Sequence, residues 1–146
     1  MNADRMIGGY TIACEILIAA GPRNLYGLLG GEFKPKNIPQ LEIHIGSFQG
    51  NERLFDGSIA SKADKATIGL PVEYVPGIIE GFKLGRQKLI NVGQGDFTIN
   101  RGVYGIIGSS EVLFKHLTSI LFCLLHLNGN EMSDKQILGL LPDRFS

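Results

Sequence analysis

Three histidines, two cysteines and a Ser-Ser-Glu triplet are the residues of this 146-residue chain whose types could support metal binding or catalysis. His44 stands on the polar side of an alternating stretch, and His116 and His126 lie ten apart on one helical stretch, so no pair has the spacing of metal ligands and no zinc site is expected. Ser109, Ser110 and Glu111 could act as nucleophile and base, but they open a helical pattern, where backbone N–H groups need acceptors; capping is the expected role. The glycine-rich "YGLLGGEF", Tyr26 to Phe33, could cradle a phosphate, yet no clear helix follows it and it lacks the phosphate-loop lysine. What remains is a cation-and-aromatic mixture. Arg23, Lys34 and Lys36 share one stretch with Tyr26 and Phe33, a combination that suits base stacking and phosphate contact with single-stranded RNA and is also common on solvated loops. Glu32 dilutes its charge. No set of acid, base and nucleophile converges, so a non-catalytic protein without cofactor or metal is expected.

These residues must be placed by the elements around them. "YTIACEILI", residues 10–18, reads as a strand with Ala13, Glu15 and Leu17 on one face, which puts Glu15 near an edge or opening. Ala19 to Gly31 carries glycines and Gly21-Pro22, and is read as turn punctuation; "KPKNIP", Lys34 to Pro39, continues as an extended loop. "LEIHIGSF", Leu41 to Phe48, alternates as a half-buried strand, with a turn at Gly50 to Arg53 and a returning strand at Leu54 to Ala60 that together make a hairpin. In "GLPVEYVPGIIEGF", Val75, Ile78, Ile79 and Phe82 form one helical stripe. Pro76 is tolerated there only in a first turn, so the helix starts near Glu73 to Val75, and Gly85 is read as its stop.

"GDFTINRGVYGII" reads as strand, turn and strand around Asn100 to Gly102. The strongest helix follows the paired serines, with Leu113, Leu117, Ile120, Leu121, Leu124 and Leu125 as its buried stripe and Gly129 as its close. Ser133 to Gln136 is a capping box for a short last helix ending at Pro142. Two apolar helix faces and one half-buried sheet predict a single α+β domain: a two-layer sandwich of about four strands backed by two helices, with a core at about 10–128 and a helical tail at 129–146.

The 14 basic and 14 acidic residues cancel, which excludes a global field drawing the chain to nucleic acid, anionic lipid or an acidic substrate; such binding needs a local patch. Cys14 and Cys123 fit buried thiols in a reducing compartment. The longest apolar run, Val112 to Leu127, contains Lys115 and His116 and is shorter than the roughly 20 residues of a membrane span. A cytoplasmic protein is the expectation, with no membrane partner.

Two segments resemble the fourth domain of translation elongation factor G and its ribosomal-protection relatives. They are the Glu-Tyr-x-Pro helix start in "GLPVEYVPGIIEGF" and the Ser-Ser-Glu cap of "GSSEVLFKHLTSILFCLL", with "LEIHIG" at the family's strand before its hairpin. The likeness covers about Leu41 to Leu127 and extends back to "GPRNLYG". It implies the fold of the second domain of ribosomal protein S5, with a left-handed βαβ crossover. In that family the domain is an arm reaching the decoding site, which carries over to Gly21, Arg23, Asn24, Tyr26 and Gly27, and more weakly to the turn from Gln94 to Asp96. Leu28 stands where the family usually has histidine, and no Gly-x4-Gly-Lys-Ser/Thr loop occurs, so GTP hydrolysis by that route is not expected. The expectation is a stand-alone module that binds ribosome or structured RNA through Arg23, Asn24, Tyr26, Phe33, Lys34 and Lys36. The alternative is a protein-interaction or assembly subunit, a homo-oligomer included, using the apolar "YGLLGG" or the tail "ILGLLP", with Leu28 and Leu141 in the seams.

Overall fold

The computed structural model describes residues 8–20, 23–46, 48–54, 66–88, 94–105, 108–127 and 130–141. The fold is α+β, a two-layer sandwich. Six strands are described: β1 (Tyr10–Ala20), β2 (Arg23–Pro35), β3 (Leu41–His44), β4 (Phe48–Leu54), β5 (Ala66–Leu70) and β6 (Gly95–Gly105). The helices are α1 (Val75–Lys88), α2 (Glu111–His126) and α3 (Asp134–Gly139). The sheet runs β1-β2-β6-β5-β4, antiparallel throughout, and β3 joins it by pairing parallel to β6.

Most of the stretch read as turns and loop, Arg23 to Pro35, is a thirteen-residue strand held on both sides, β1 on one and β6 on the other; Gly21-Pro22 lies outside the described residues, and Lys36 to Pro39 is outside any strand, as expected. Its glycines permit close approach rather than turning. A Cβ on Gly27 would lie 2.9 Å from Leu117 of α2, and one on Gly31 would lie 2.3 Å from the Thr98 carbonyl oxygen of β6. The turn expected at Asn100 to Gly102 is likewise corrected. β6 continues straight through, and Gly30 faces Arg101 while Gly31 faces Ile99, so Asn100 is the extra residue of a β-bulge. The hairpin expected after Leu41 does not form: β3 pairs with β6, β4 pairs with β5, and Gly50 to Arg53 lies inside β4. Most of the strand expected at Leu54 to Ala60 lies outside the described residues, and β5 was not anticipated.

Pro76 sits in the first turn of α1, behind a short 3-10 turn at Val72–Tyr74, as its missing N–H requires. Gly85 does not stop that helix, which runs on to Lys88. Gly77, Gly81 and Gly85 recur every four residues and so line one face, the face against α2. A Cβ there would meet, in turn, the Glu111 carbonyl at 2.6 Å, the Lys115 carbonyl at 2.7 Å and the Phe122 ring at 2.6 Å. Lys115 Nζ and Glu80 Oε1, 3.1 Å apart, clip the same two helices at the surface.

Ser110 caps α2, its Oγ accepting from the Leu113 N–H at 3.1 Å. All six residues of the expected stripe are buried, joined by Phe114, Thr118 and Phe122. They meet Ile12, Cys14 and Ile16 of β1, Leu25, Leu29 and Phe33 of β2, and Phe97 and Ile99 of β6, with Ile78 and Phe82 of α1 in the same core. Both helices therefore cover one face of the sheet. Arg86 Nη2 donates to the Leu41 carbonyl at 2.8 Å and ties β3 to α1. A second, smaller cluster of Tyr26, Leu28, Ala66 and Val103 lies on the opposite face. The capping box of Ser133 and Gln136 forms as expected; α3 ends at Gly139, and Gly129 and Pro142 lie outside the described residues. Among the described residues no helix is long and apolar enough to cross a membrane.

Candidate functional site

Because Arg23 to Pro35 is one strand, the residues expected to act together are divided between its two ends. Thirteen residues at about 3.3 Å each span on the order of 40 Å, so Arg23 and Asn24 cannot serve the same short ligand as Lys34. Arg23 opens β2 opposite Ala20, and Asn24 is exposed beside it. Tyr26 is 0% exposed and Phe33 is 2% exposed. The Tyr26 hydroxyl donates to Glu15 Oε2 at 2.6 Å, and Phe33 packs on Tyr10 with ring centroids 5.1 Å apart. Neither ring can stack on a base, so the expectation of an aromatic RNA platform is corrected for both. The alternation of β2 sends each ring into a packed layer, which a loop would not have done.

At the other end the structure gathers residues that were read separately. Lys34 pairs across the ladder with Asp96, and the Lys36 N–H donates to the Gln94 carbonyl at 3.2 Å, so the weaker candidate turn lies beside the lysines. Gly95 makes this possible: its φ of 155° and its closeness to Lys34, whose carbonyl oxygen would lie 2.2 Å from any Cβ, exclude other residues. The Lys36 ammonium meets Asp96 Oδ2. His44 Nε2 stands 3.3 Å from Asp96 Oδ1, which is buried and makes no hydrogen bond. Lys34 Nζ lies 3.9 Å from Glu32 Oε1.

The hydrogen bond from Lys36 holds the Asp96 carboxyl below its usual range, and the same contact raises the Lys36 ammonium. Glu42 and His44 complete the group, because the parallel pairing of β3 puts Glu42 beside Asp96 and His44 beside Thr98. One ligand atom from each of Glu42, His44 and Asp96 falls within 4.8 Å of the others. A cation held there would have to displace Lys36 from Asp96, and Glu42 and His44 are exposed. The arrangement is therefore a self-neutralising polar network. Sequence reading missed Glu42 and, having weighed His44 alone and set it aside, missed its meeting with Asp96, since nothing local signals a parallel contact with a strand some fifty residues later.

The remaining nucleophile candidates are occupied by structure. Ser109 Oγ donates to the Tyr26 carbonyl at 2.5 Å and accepts from the Gly105 N–H at 2.8 Å, stitching β2 to the end of β6. Burial, aided by Glu15, pushes the Cys14 thiol up to about 12. Cys123 is half-buried, and neither cysteine is in a disulfide.

A second feature lies at the far side of the sheet. An open cavity of about 380 Å³ runs along β1, walled by residues 11–15 of that strand and by Leu124, Glu131, Met132 and Ile137. Beyond it Leu138 of α3 (60% exposed) and Leu140 just after that helix (41% exposed) face outward. By contrast, Leu28 is buried, which removes "YGLLGG" as an exposed seam.

No family model matches this chain, and no curated protein matches it. A solved protein of Thermus thermophilus has a similar fold, with a TM-score of 0.53 and 18% identity over 84% of this chain and 16% of that one. The likeness at that identity is one of fold, and this chain corresponds to 16% of the length of that protein.

Proposed function

We propose that this chain is a non-catalytic binding module of the kind that forms the fourth domain of elongation factor G, and that its partner is a protein rather than RNA. The motif resemblance and the two-layer α+β sandwich support the first part. The observation that carries the second is a contrast in exposure: Tyr26 and Phe33 are interior, whereas Leu138 and Leu140 face solvent. Charge agrees, because Lys34 and Lys36 each have a carboxylate neighbour and so release few counterions to a phosphate backbone. Ser109, Ser110 and Cys14 are each held in structural roles, which supports a module without chemistry of its own.

Co-sedimentation with ribosomes and filter binding of polyuridylate across a salt series test this reading. No binding at low salt is expected. Binding that weakens steeply with salt would return the chain to the RNA-binding class.

A further inference from the structure

The edge of β1 is unusual for a strand of its length. Among the described residues it pairs with β2 alone, in unbroken register from Tyr10 to Ala20, and its outer backbone N–H and C=O groups have no neighbouring strand. Natural edges are blunted by proline, bulges or charges. "YTIACEILIAA" has no proline, no bulge and one charge, and that charge, Glu15, receives the Tyr26 hydroxyl on the face away from the helices.

The cavity lies along this edge. Five consecutive β1 residues wall it, and successive side chains alternate between faces, so what they present in common is the backbone rim. Its other wall is Leu124 of α2 with Met132 and Ile137, and Glu131 stands exposed at the margin with no ion pair among the described residues.

We propose that this groove takes an extended peptide of a partner protein. The peptide adds a strand to β1, sets an apolar side chain toward Leu124, Met132 and Ile137, and brings a lysine or arginine to Glu131. The backbone rim calls for a strand, the wall beside it for an apolar side chain, and the carboxylate for a cation. A second copy fits less well, because it would bring its own Glu15 and Glu131 to a groove that, among the described residues, holds no basic side chain. This inference rests on the reading of the chain as a protein-binding module.

A random peptide display library panned on the full chain, followed by hydrogen–deuterium exchange with the selected peptides, tests it. The expected peptides alternate apolar residues and carry Lys or Arg. They protect the amides of residues 11–15, lose binding when alternate peptide amides are N-methylated, and bind E131K about threefold to fivefold more weakly, as one exposed ion pair allows. Peptides that protect another surface, or bind E131K equally well, would overturn the β1 assignment while leaving the protein-binding reading in place. No selected peptide, together with salt-sensitive binding of polyuridylate, would overturn both. A free chain that light scattering finds to be dimeric, with the same amides already protected, would give the groove to a second copy and overturn the proposal.

Discussion

Gly81→Ala sets a local rule against a tertiary one. In an isolated helix the change gains about 1 kcal/mol, since alanine restricts the unfolded backbone and glycine is a poor helix former. In α1 the new Cβ would lie 2.7 Å from both the Lys115 carbonyl oxygen and Thr118 Cβ, where ordinary contact begins at 3.4 Å. Neither obstacle is the end of a flexible chain. Thr118 is fully buried, and its hydroxyl is bonded to the Phe114 carbonyl at 2.7 Å. The helices must therefore separate by several tenths of an ångström, and overpacking of this kind costs about 1–3 kcal/mol. The cost exceeds the gain, and G81A is expected to be less stable by about 1 kcal/mol. Urea unfolding followed by circular dichroism should show the midpoint lowered by about 0.5 M for a slope near 2 kcal/mol/M. Gly139→Ala, at the last residue of α3, is the control, because nothing lies within 4 Å of its Cβ position, and it should hold or raise the midpoint. A midpoint raised by G81A would refute the helix-seam argument. Gly85→Ala and Phe122→Leu, tested singly and together, should be non-additive, since the added Cβ meets that ring at 2.6 Å.

Two further outcomes follow from ionisation. Cys14, buried and pushed up to about 12, should resist maleimide at neutral pH in the folded chain and react once urea unfolds it; mass spectrometry of the C123A variant reads this, and rapid native labelling would contradict the burial. His116 is lowered by burial and then by Lys115, so the unfolded state binds a proton near 6.5 more readily than the folded one. Stability should thus be fully present above about pH 6.5 and decline as pH falls toward the lower folded value. His116→Gln should flatten the slope between pH 7 and 5, and an unchanged slope would assign it to other groups.

The candidate site was legible only residue by residue. Lys34, Lys36, Gln94 and Asp96 could be chosen from the sequence, but their meeting depends on the antiparallel register of β2 with β6, and the arrival of Glu42 and His44 depends on a parallel pairing. Tyr26 and Phe33 were misjudged for the same reason: a ring beside glycines and lysines looks available until the strand assigns it a side.

By itself the sequence determined what short-range physics controls. The helical stripe from Leu113 to Leu125, a cap at Ser109 or Ser110 that the structure assigns to Ser110, the Ser133–Gln136 box and the place of Pro76 in a first turn each depend on residues a few positions apart, and each stands in the structure. Tertiary structure decided the meaning of glycine. Gly27, Gly31, Gly77, Gly81 and Gly85 resemble turn and stop signals in one dimension, yet each marks a place where another strand or helix comes too close for a Cβ. Among the described residues it also left β1 open on one side, because which strand ends a sheet is settled by long-range pairing and not by the residues of the strand itself.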